Sequence, residues 1–316
     1  MVTFHDIIAA RPHVYRYLRP TPLTFYPTLS DLLGAEVYIK HENHQPVGAF
    51  KVRGGLNLAA HLTENERAAG LATASTGNHG QSIAFAGKVT STRVVIAMPE
   101  NANPGKVAAI RALGAEVAFH GADFDTARLW MQERAEKEGM RWVNVTDEHL
   151  IAGVGTYALE IVEELPDVDV ILVPVGGGSG ACGCSLVANA VNPAIQVIGC
   201  QAAAAPAQYL AWRGKNAEDA PMSTFAEGVA TRVPFPDTQV ILRRYLSDFL
   251  LVEDDDIYRA IVMLLEHTHN LAEGAGAIPL AAASQIKERI AGKKVVLVMS
   301  GGNLSLERLR AALATA

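Results

Sequence analysis

From Leu71 to Val145 the chain alternates between short apolar runs and segments of helical spacing, with only a few residues between them. Leu71–Ala74, Arg93–Met98, Glu116–His120 and Met140–Val145 read as strands. Residues 81–88, Pro104–Leu113 and Asp123–Glu138 read as the helices between them. Strand–helix alternation at this spacing predicts a parallel sheet with crossover helices. A second series repeats the pattern: helix Ile151–Glu164, strand Val170–Val175, helix Gly180–Ala190 and strand Ala194–Cys200. An irregular Pro- and Gly-rich span, Lys215–Thr238, separates these from helices near Asp255–His267 and Ala277–Ile290, strand Lys294–Met299 and a last helix near Leu304–Ala312. Ahead of both series stand helix Ile7–Leu18, the Pro20-Thr21-Pro22 turn, strand Glu36–Lys40 and helix Gly55–Ala68.

Composition narrows the class further. The 316 residues are 49% hydrophobic, 19% charged and 6% aromatic, which suits an α/β enzyme with a large core. A net charge of −6 and the lack of any basic run argue against a nucleic-acid partner. Three cysteines, Cys182, Cys184 and Cys200, cannot form a disulfide framework and suit a reducing compartment. No charge occurs from Ile171 to Leu210, but Gly176–Gly178, Gly180 and Pro193 break that stretch too densely for a membrane span. The start, MVTFHDIIAA, carries Asp6 and no Lys or Arg, unlike a secretory signal. A soluble, cytoplasmic protein is expected.

The segment His41–Gly55, HENHQPVGAFKVRGG, places Lys51 among Phe50, Val52 and three glycines. A buried unpaired ammonium is costly, so such a lysine is either a surface residue opening a helix or an amine engaged as a Schiff base.

Loops at the carboxyl ends of parallel strands are where ligands bind, and three of them are chemically unusual. Ser75-Thr76-Gly77-Asn78-His79-Gly80 offers hydroxyls, an amide and unhindered N–H groups at a helix start, suited to a carboxylate. An ordinary helix cap needs one such residue rather than a series. Gly176-Gly177-Gly178-Ser179-Gly180 follows a strand and precedes a helix, so several N–H groups can converge on a phosphate. That loop contains a GxGxxG string, Gly178, Gly180 and Gly183. A dinucleotide fold would also want an acid closing the next strand, where Cys200-Gln201 and alanines stand. Ser300-Gly301-Gly302-Asn303 forms the third junction, and its serine can hydrogen-bond a ring nitrogen without fully protonating it.

On these four motifs, GAFKVRGG, STGNHG, VPVGGGSG and SGGN, the chain resembles the fold-type II pyridoxal-phosphate enzymes of the serine/threonine dehydratase and serine racemase group. The resemblance implies an α/β fold, tryptophan synthase β-like, of two open parallel-sheet domains with crossover helices. Residues 1–70 and 146–316 would form the large domain and 71–145 a small mobile one. It implies that Lys51 carries pyridoxal 5'-phosphate as a Schiff base, with Phe50 beside the ring, Asn78 at its hydroxyl and Ser300 at its nitrogen. The Gly176, Gly177, Gly178, Ser179 and Gly180 loop would hold the phosphate. Ser75, Thr76, Gly77 and His79 would surround the carboxylate of a small amino-acid substrate, and a homodimer or homotetramer is expected.

The implied reaction is β-elimination from L-threonine or L-serine, giving a 2-oxo acid and ammonia, with Lys51 removing the Cα proton. Serine racemisation is the alternative, since Thr76 stands where racemases place a hydroxyl opposite the lysine. A 3-hydroxyaspartate or aryl-serine dehydratase is another. The former would want a basic residue near the site, for which Arg53 and Arg232 are the candidates. A non-catalytic amino-acid sensor on the same fold would not need Lys51, Asn78 and Ser300 together. The sequence also departs from the family: Ala49 replaces the usual serine, and Ser179 a glycine. Glu227-Gly228 carries the longer acid. Gln201, Ala205 and Ala207 occupy the region where some members bind a divalent cation, so no metal site is expected.

Overall fold

Strand Leu71–Ala74, four residues and all buried, sits at the centre of the smaller of two sheets in the computed structural model, which describes residues 1–315. In chain order the strands are β1 Leu23–Phe25, β2 Glu36–His41, β3 Leu71–Ala74, β4 Val94–Met98, β5 Glu116–Phe119, β6 Arg141–Trp142, β7 Val170–Pro174, β8 Gln196–Ala202, β9 Asp248–Val252 and β10 Lys294–Met299. Among the described residues they form a four-stranded sheet, β5-β4-β3-β6, and a six-stranded sheet, β1-β2-β10-β7-β8-β9. Every pairing is parallel except β1 with β2. Parallel pairing with crossover helices is what the alternation predicts, and the division into two sheets is what the family resemblance implies.

Helices cover both faces, so the strands need apolar residues on both sides. Along β7, Val170 and Leu172 enter one core cluster, while Ile171 and Val173 enter the other. The small sheet divides likewise, with Leu71, Val94 and Ile96 on one face and Ala72, Val95 and Ala97 on the other. Leu58 and Leu150, which flank this sheet in sequence, pack into its first cluster.

Several boundaries differ from expectation for local reasons. The helix expected over Gly55–Ala68 is two, Val52–Ala60 and Glu64–Ala69. Thr63 restarts the chain with a reciprocal cap, its Oγ1 accepting from Glu66 N while the Glu66 carboxylate accepts from Thr63 N at 2.9 Å. The helix expected over Ile151–Glu164 is also two, Glu148–Val154 and Thr156–Glu164. At Gly155 between them a Cβ would meet Ile7 at 2.7 Å. Helix Pro236–Tyr245 begins inside the span read as irregular, and edge strand β9 is an addition to the expected strands, although Phe249–Val252 is an apolar run.

One buried charge cluster ties these parts together. Arg53, on helix Val52–Ala60, has no solvent exposure. Its guanidinium meets Glu42 at 2.8 Å through Nε and Nη2, and Glu160 at 2.6 and 2.9 Å. Lys40 Nζ lies 2.7 Å from the same Glu160 carboxylate and donates to Thr21 O at 2.6 Å. The end of β2, the helix after Lys51 and helix Thr156–Glu164 are thereby fixed to one another.

Removing one partner of such a cluster strands the rest in a dry interior. Arg53→Ala is therefore expected to lower the unfolding free energy by about 3–5 kcal/mol. Arg232→Ala, at an exposed side chain 3.9 Å from Asp125, should stay within about 0.5 kcal/mol. Urea denaturation of both variants checks this; equal small losses would show that the cluster does not hold the fold.

Candidate active site

The turn that carries Lys51 is laced to the end of β10. Phe50 N donates to Ser300 O at 3.0 Å, Gly302 N donates to Gly48 O at 2.9 Å, and Ala49 bridges Gly301. Gly48 makes this approach possible: its φ is +68°, and a Cβ there would lie 2.7 Å from Asn303 Oδ1. Lys51 then caps helix Val52–Ala60, with its carbonyl accepting from Ser82 Oγ at 2.6 Å. The amine lies 5.2 Å from the centre of the Phe50 ring. Desolvation pulls its pKa down to about 8, against a weaker upward pull from Glu273.

Opposite it, β3 ends in the Ser75–Gly80 turn. Ser75 Oγ accepts from Gly77 N at 3.1 Å and from Gly80 N at 3.0 Å, which folds the turn over the start of helix Asn78–Thr90. The N–H groups of Asn78 and His79 open that helix, where no intrahelical carbonyl lies behind them. Thr76, Gly77 and Asn78 are half-buried, whereas His79 is buried. Thr73 Oγ1 donates to Val143 O at 2.9 Å and so accepts from His79 Nε2 at 3.0 Å. Burial, then the charge of Lys51, pull this imidazole down to about 3, so it stays neutral. The ring of His79 is thus committed to the small sheet, and what it offers a ligand is its backbone N–H.

Asn78 belongs to a network that reaches across the cleft. Its Nδ2 donates to Glu273 Oε1 at 2.8 Å, and its Oδ1 accepts from Asn303 Nδ2 at 2.8 Å. Sequence reasoning missed Glu273. It stands at the N-cap of helix Gly274–Gln285 and makes no capping bond with its side chain. Desolvation raises its pKa to about 7, opposed chiefly by the hydrogen bond from Asn78. The available signal was a lone carboxylate leading into GAGAIPLAAA, a stretch too apolar to need an acid for its own sake.

The glycine loop lies beyond Phe50. After β7 the chain runs through Gly176, Gly177 and Gly178 into helix Ser179–Val191, with Gly178 at φ +95°. A Cβ on Gly180 would sit 3.6 Å from Phe50 and 3.0 Å from the Tyr157 hydroxyl, which donates to Gly180 O at 3.1 Å. No N–H from Gly176 to Gly180 donates to a protein group among the described residues. Unpartnered donors converging at a buried helix start fit a phosphate. Ser300 is buried at the end of β10, and its hydroxyl has no protein partner among the described residues.

Lys51, Phe50, the glycine loop and Ser300 are therefore neighbours, and Asn78 joins them through Glu273 and Asn303. Arg53 is taken up by Glu42 and Glu160 in the buried cluster and so is not free for a substrate, whereas Arg232 is exposed, 3.9 Å from Asp125. At Gln201 an amide does the cross-linking: its Oε1 accepts from Tyr209 N at 3.0 Å and its Nε2 lies 3.3 Å from Thr231 Oγ1. The cysteines are all buried thiols, and burial pushes that of Cys184 up to about 12. No helix among the described residues is long and apolar enough to cross a membrane.

The family described as pyridoxal-phosphate dependent enzyme matches residues 14–301. An L-threonine ammonia-lyase of Thermotoga maritima is 39% identical over 311 residues, 98% of this chain and 77% of that protein. Among solved structures, the processed form of threonine deaminase isoform 2 from Solanum lycopersicum superposes with a TM-score of 0.94 at 32% identity, over 99% of this chain and 92% of that one. The serine racemase of Dictyostelium discoideum gives 0.90 at 32% identity, over 96% and 99%.

The Lys51 amine should become reactive with a midpoint near pH 8, well below the 10.5 of an exposed lysine. Glu273→Gln removes the charge that holds this pKa up, so the midpoint should move lower. Competitive acylation of the cofactor-free chain across pH, read by mass spectrometry at Lys51, measures both. A midpoint unchanged by the substitution would mean that the two groups do not sense each other.

Proposed function

The chain belongs to the family of pyridoxal-phosphate-dependent enzymes, and from that premise we propose that it deaminates L-threonine or L-serine by β-elimination, yielding a 2-oxo acid and ammonia. The observation that carries this reading is the desolvated Lys51 amine between two cradles of N–H donors, one suited to a phosphate and one to a carboxylate. Lys51 would anchor the cofactor aldehyde, the Gly176–Gly180 loop its phosphate, Asn78 its ring hydroxyl and Ser300 its ring nitrogen. Bound there, pyridoxal phosphate supplies an electron sink for the pair left on the substrate Cα.

Everything else falls to the protein. The N–H groups of Asn78 and His79, at a helix start, bind the substrate carboxylate and fix Cα before Lys51. A pKa near 8 leaves part of the amine unprotonated at neutral pH and still a competent proton acceptor. Lys51 takes the Cα proton, the electron pair closes the Cα–Cβ double bond, and the β-oxygen departs with a proton as water. The released enamine tautomerises and hydrolyses to the oxo acid and ammonia. A neutral donor such as Ser300 would not fully protonate a ring nitrogen held against it, which would favour prompt elimination.

Racemisation is the second reading, supported by the likeness to a serine racemase and by the hydroxyl of half-buried Thr76 on the Ser75–Gly80 turn. A proton donor there must reach Cα on the face opposite the lysine. The β-branch of Thr76 restricts χ1, and we assign its hydroxyl to the carboxylate instead.

Purified protein should be yellow, borohydride should fix the cofactor to Lys51 in a peptide map, and Lys51→Ala should abolish turnover. Protein that stays colourless with added pyridoxal phosphate would overturn the assignment. In a panel scored together for ammonia, oxo acid and D-isomer, Thr76→Ala should weaken substrate binding by about 1–3 kcal/mol while deamination persists. Faster accumulation of D-serine than pyruvate in the wild type, lost selectively in Thr76→Ala, would make the enzyme a racemase.

A further inference from the structure

An anion-binding loop must turn its N–H groups toward the ligand, and its carbonyls must then find partners on the other side. Here those partners are side chains from two separate helices. Gln208, on helix Ala207–Trp212, donates from Nε2 to Gly176 O at 3.1 Å. Thr238, on helix Pro236–Tyr245, places its Oγ1 2.9 Å from Gly177 O and 3.2 Å from Phe235 O. Both side chains are fully buried. The carbonyls of Gly176 and Gly177 are the two that an uninterrupted helix would offer to the N–H groups of Gly180 and Ala181. Engaged from behind, they leave those donors free.

The direction of the Gln208 amide is dictated by its neighbour. Gln239 Nε2 lies 3.0 Å from Gln208 O and 2.6 Å from Gln208 Oε1. A backbone carbonyl only accepts, so Gln239 must present its amide nitrogen. Gln208 must then answer with Oε1, and its Nε2 is left to face Gly176 O. Swapping either amide would set donor against donor or oxygen against oxygen. The arrangement leaves Gln239 Oε1 buried without a partner, the cost of fixing both amides.

We propose that Gln208 and Thr238 are positioning residues for the phosphate loop, holding the carbonyls of Gly176 and Gly177 away so that the loop's N–H groups face the cofactor phosphate. This rests on the cofactor reading above and goes beyond it, since neither residue touches the ligand. The effect is specific to the phosphate: a partner-less carbonyl is free to swing toward the anion and repel it, while the contacts to the rest of the cofactor stay as they are.

The test uses the full chain, freed of cofactor and titrated with pyridoxal phosphate and, separately, with pyridoxal, which lacks the phosphate. Gln208→Met and Thr238→Val should each weaken pyridoxal phosphate roughly ten-fold, the scale of one stranded buried acceptor, and leave pyridoxal unchanged. Thr238→Ser, which restores the hydroxyl, should stay within about two-fold of wild type. The bound phosphate's 31P resonance in the holoenzyme should shift in Thr238→Val and return in Thr238→Ser. Equal weakening of both compounds, or no weakening of either, overturns the proposal. So does a Thr238→Ser variant that behaves like Thr238→Val. Should Gln208→Met fail to fold, the Thr238 pair decides alone. Wild type that takes up neither compound at Lys51 overturns the cofactor reading itself, a result distinct from any difference between variants.

Discussion

A guanidinium and two carboxylates, closed off from solvent, set the frame in which the rest of the site is built. Burial by itself would pull the Arg53 pKa down, but Glu42 and Glu160 together push it up, so it stays charged. Glu160 is held in its ionised form against the same desolvation, by Arg53 first and then Lys40. Such a cluster gains little over well-packed apolar residues in net stability, yet it tolerates one arrangement only. That exactness of geometry passes to Lys51, two residues before Arg53, because the same turn is also laced to Ser300–Gly302. The reactive amine is thereby fixed from both sides of its own helix start.

Desolvation opposes charge in both places, but close partners outweigh it in the cluster and not in the cleft. In the cluster Arg53 and Glu160 each have opposite charges at hydrogen-bond distance, which hold both in their charged forms. In the cleft Lys51 and Glu273 have no such pairing with each other, and each drifts toward its neutral form, the amine to about 8 and the carboxyl to about 7. Two groups brought near neutrality in one cleft can exchange protons at modest cost, which suits chemistry that must first accept and later return a proton. The Asn78 amide, bonded to Glu273 on one side and Asn303 on the other, links this pair to the ends of the large sheet.

The polar groups around the glycine loop follow one rule, that a donor left free for a ligand requires its companion acceptor to be satisfied elsewhere. Gln208, Thr238 and Tyr157 take the carbonyls of Gly176, Gly177 and Gly180. Nearby, Gln201 joins β8 to helix Ala207–Trp212 with an amide. Neutral side chains do this work without adding charge beside the loop's free N–H groups.

Periodicity and punctuation in the sequence determined parallel pairing and most of the strands, since strands buried on both faces must be apolar throughout, while the division into two sheets came with the motif resemblance. β3 and β10 fall on the residues expected, and the loops at Ser75–Gly80, Gly176–Gly180 and Ser300–Asn303 stand at strand exits as read. Motif order pointed to Lys51 and its neighbours because glycines and hydroxyls in series have few other uses. The tertiary structure alone decided the rest. Arg53 looked available to a substrate until Glu42 and Glu160, 11 and 107 residues away, closed on it. His79 lay in the carboxylate motif, yet its ring turned to Thr73, because a helix start exposes backbone N–H while sending alternate side chains inward. Gln208 and Thr238 carry no local signature at all, and Glu273 only that of a lone acid before an apolar stretch: their meaning comes from desolvation and from which distant carbonyl or amide they meet, and sequence neighbours do not encode either.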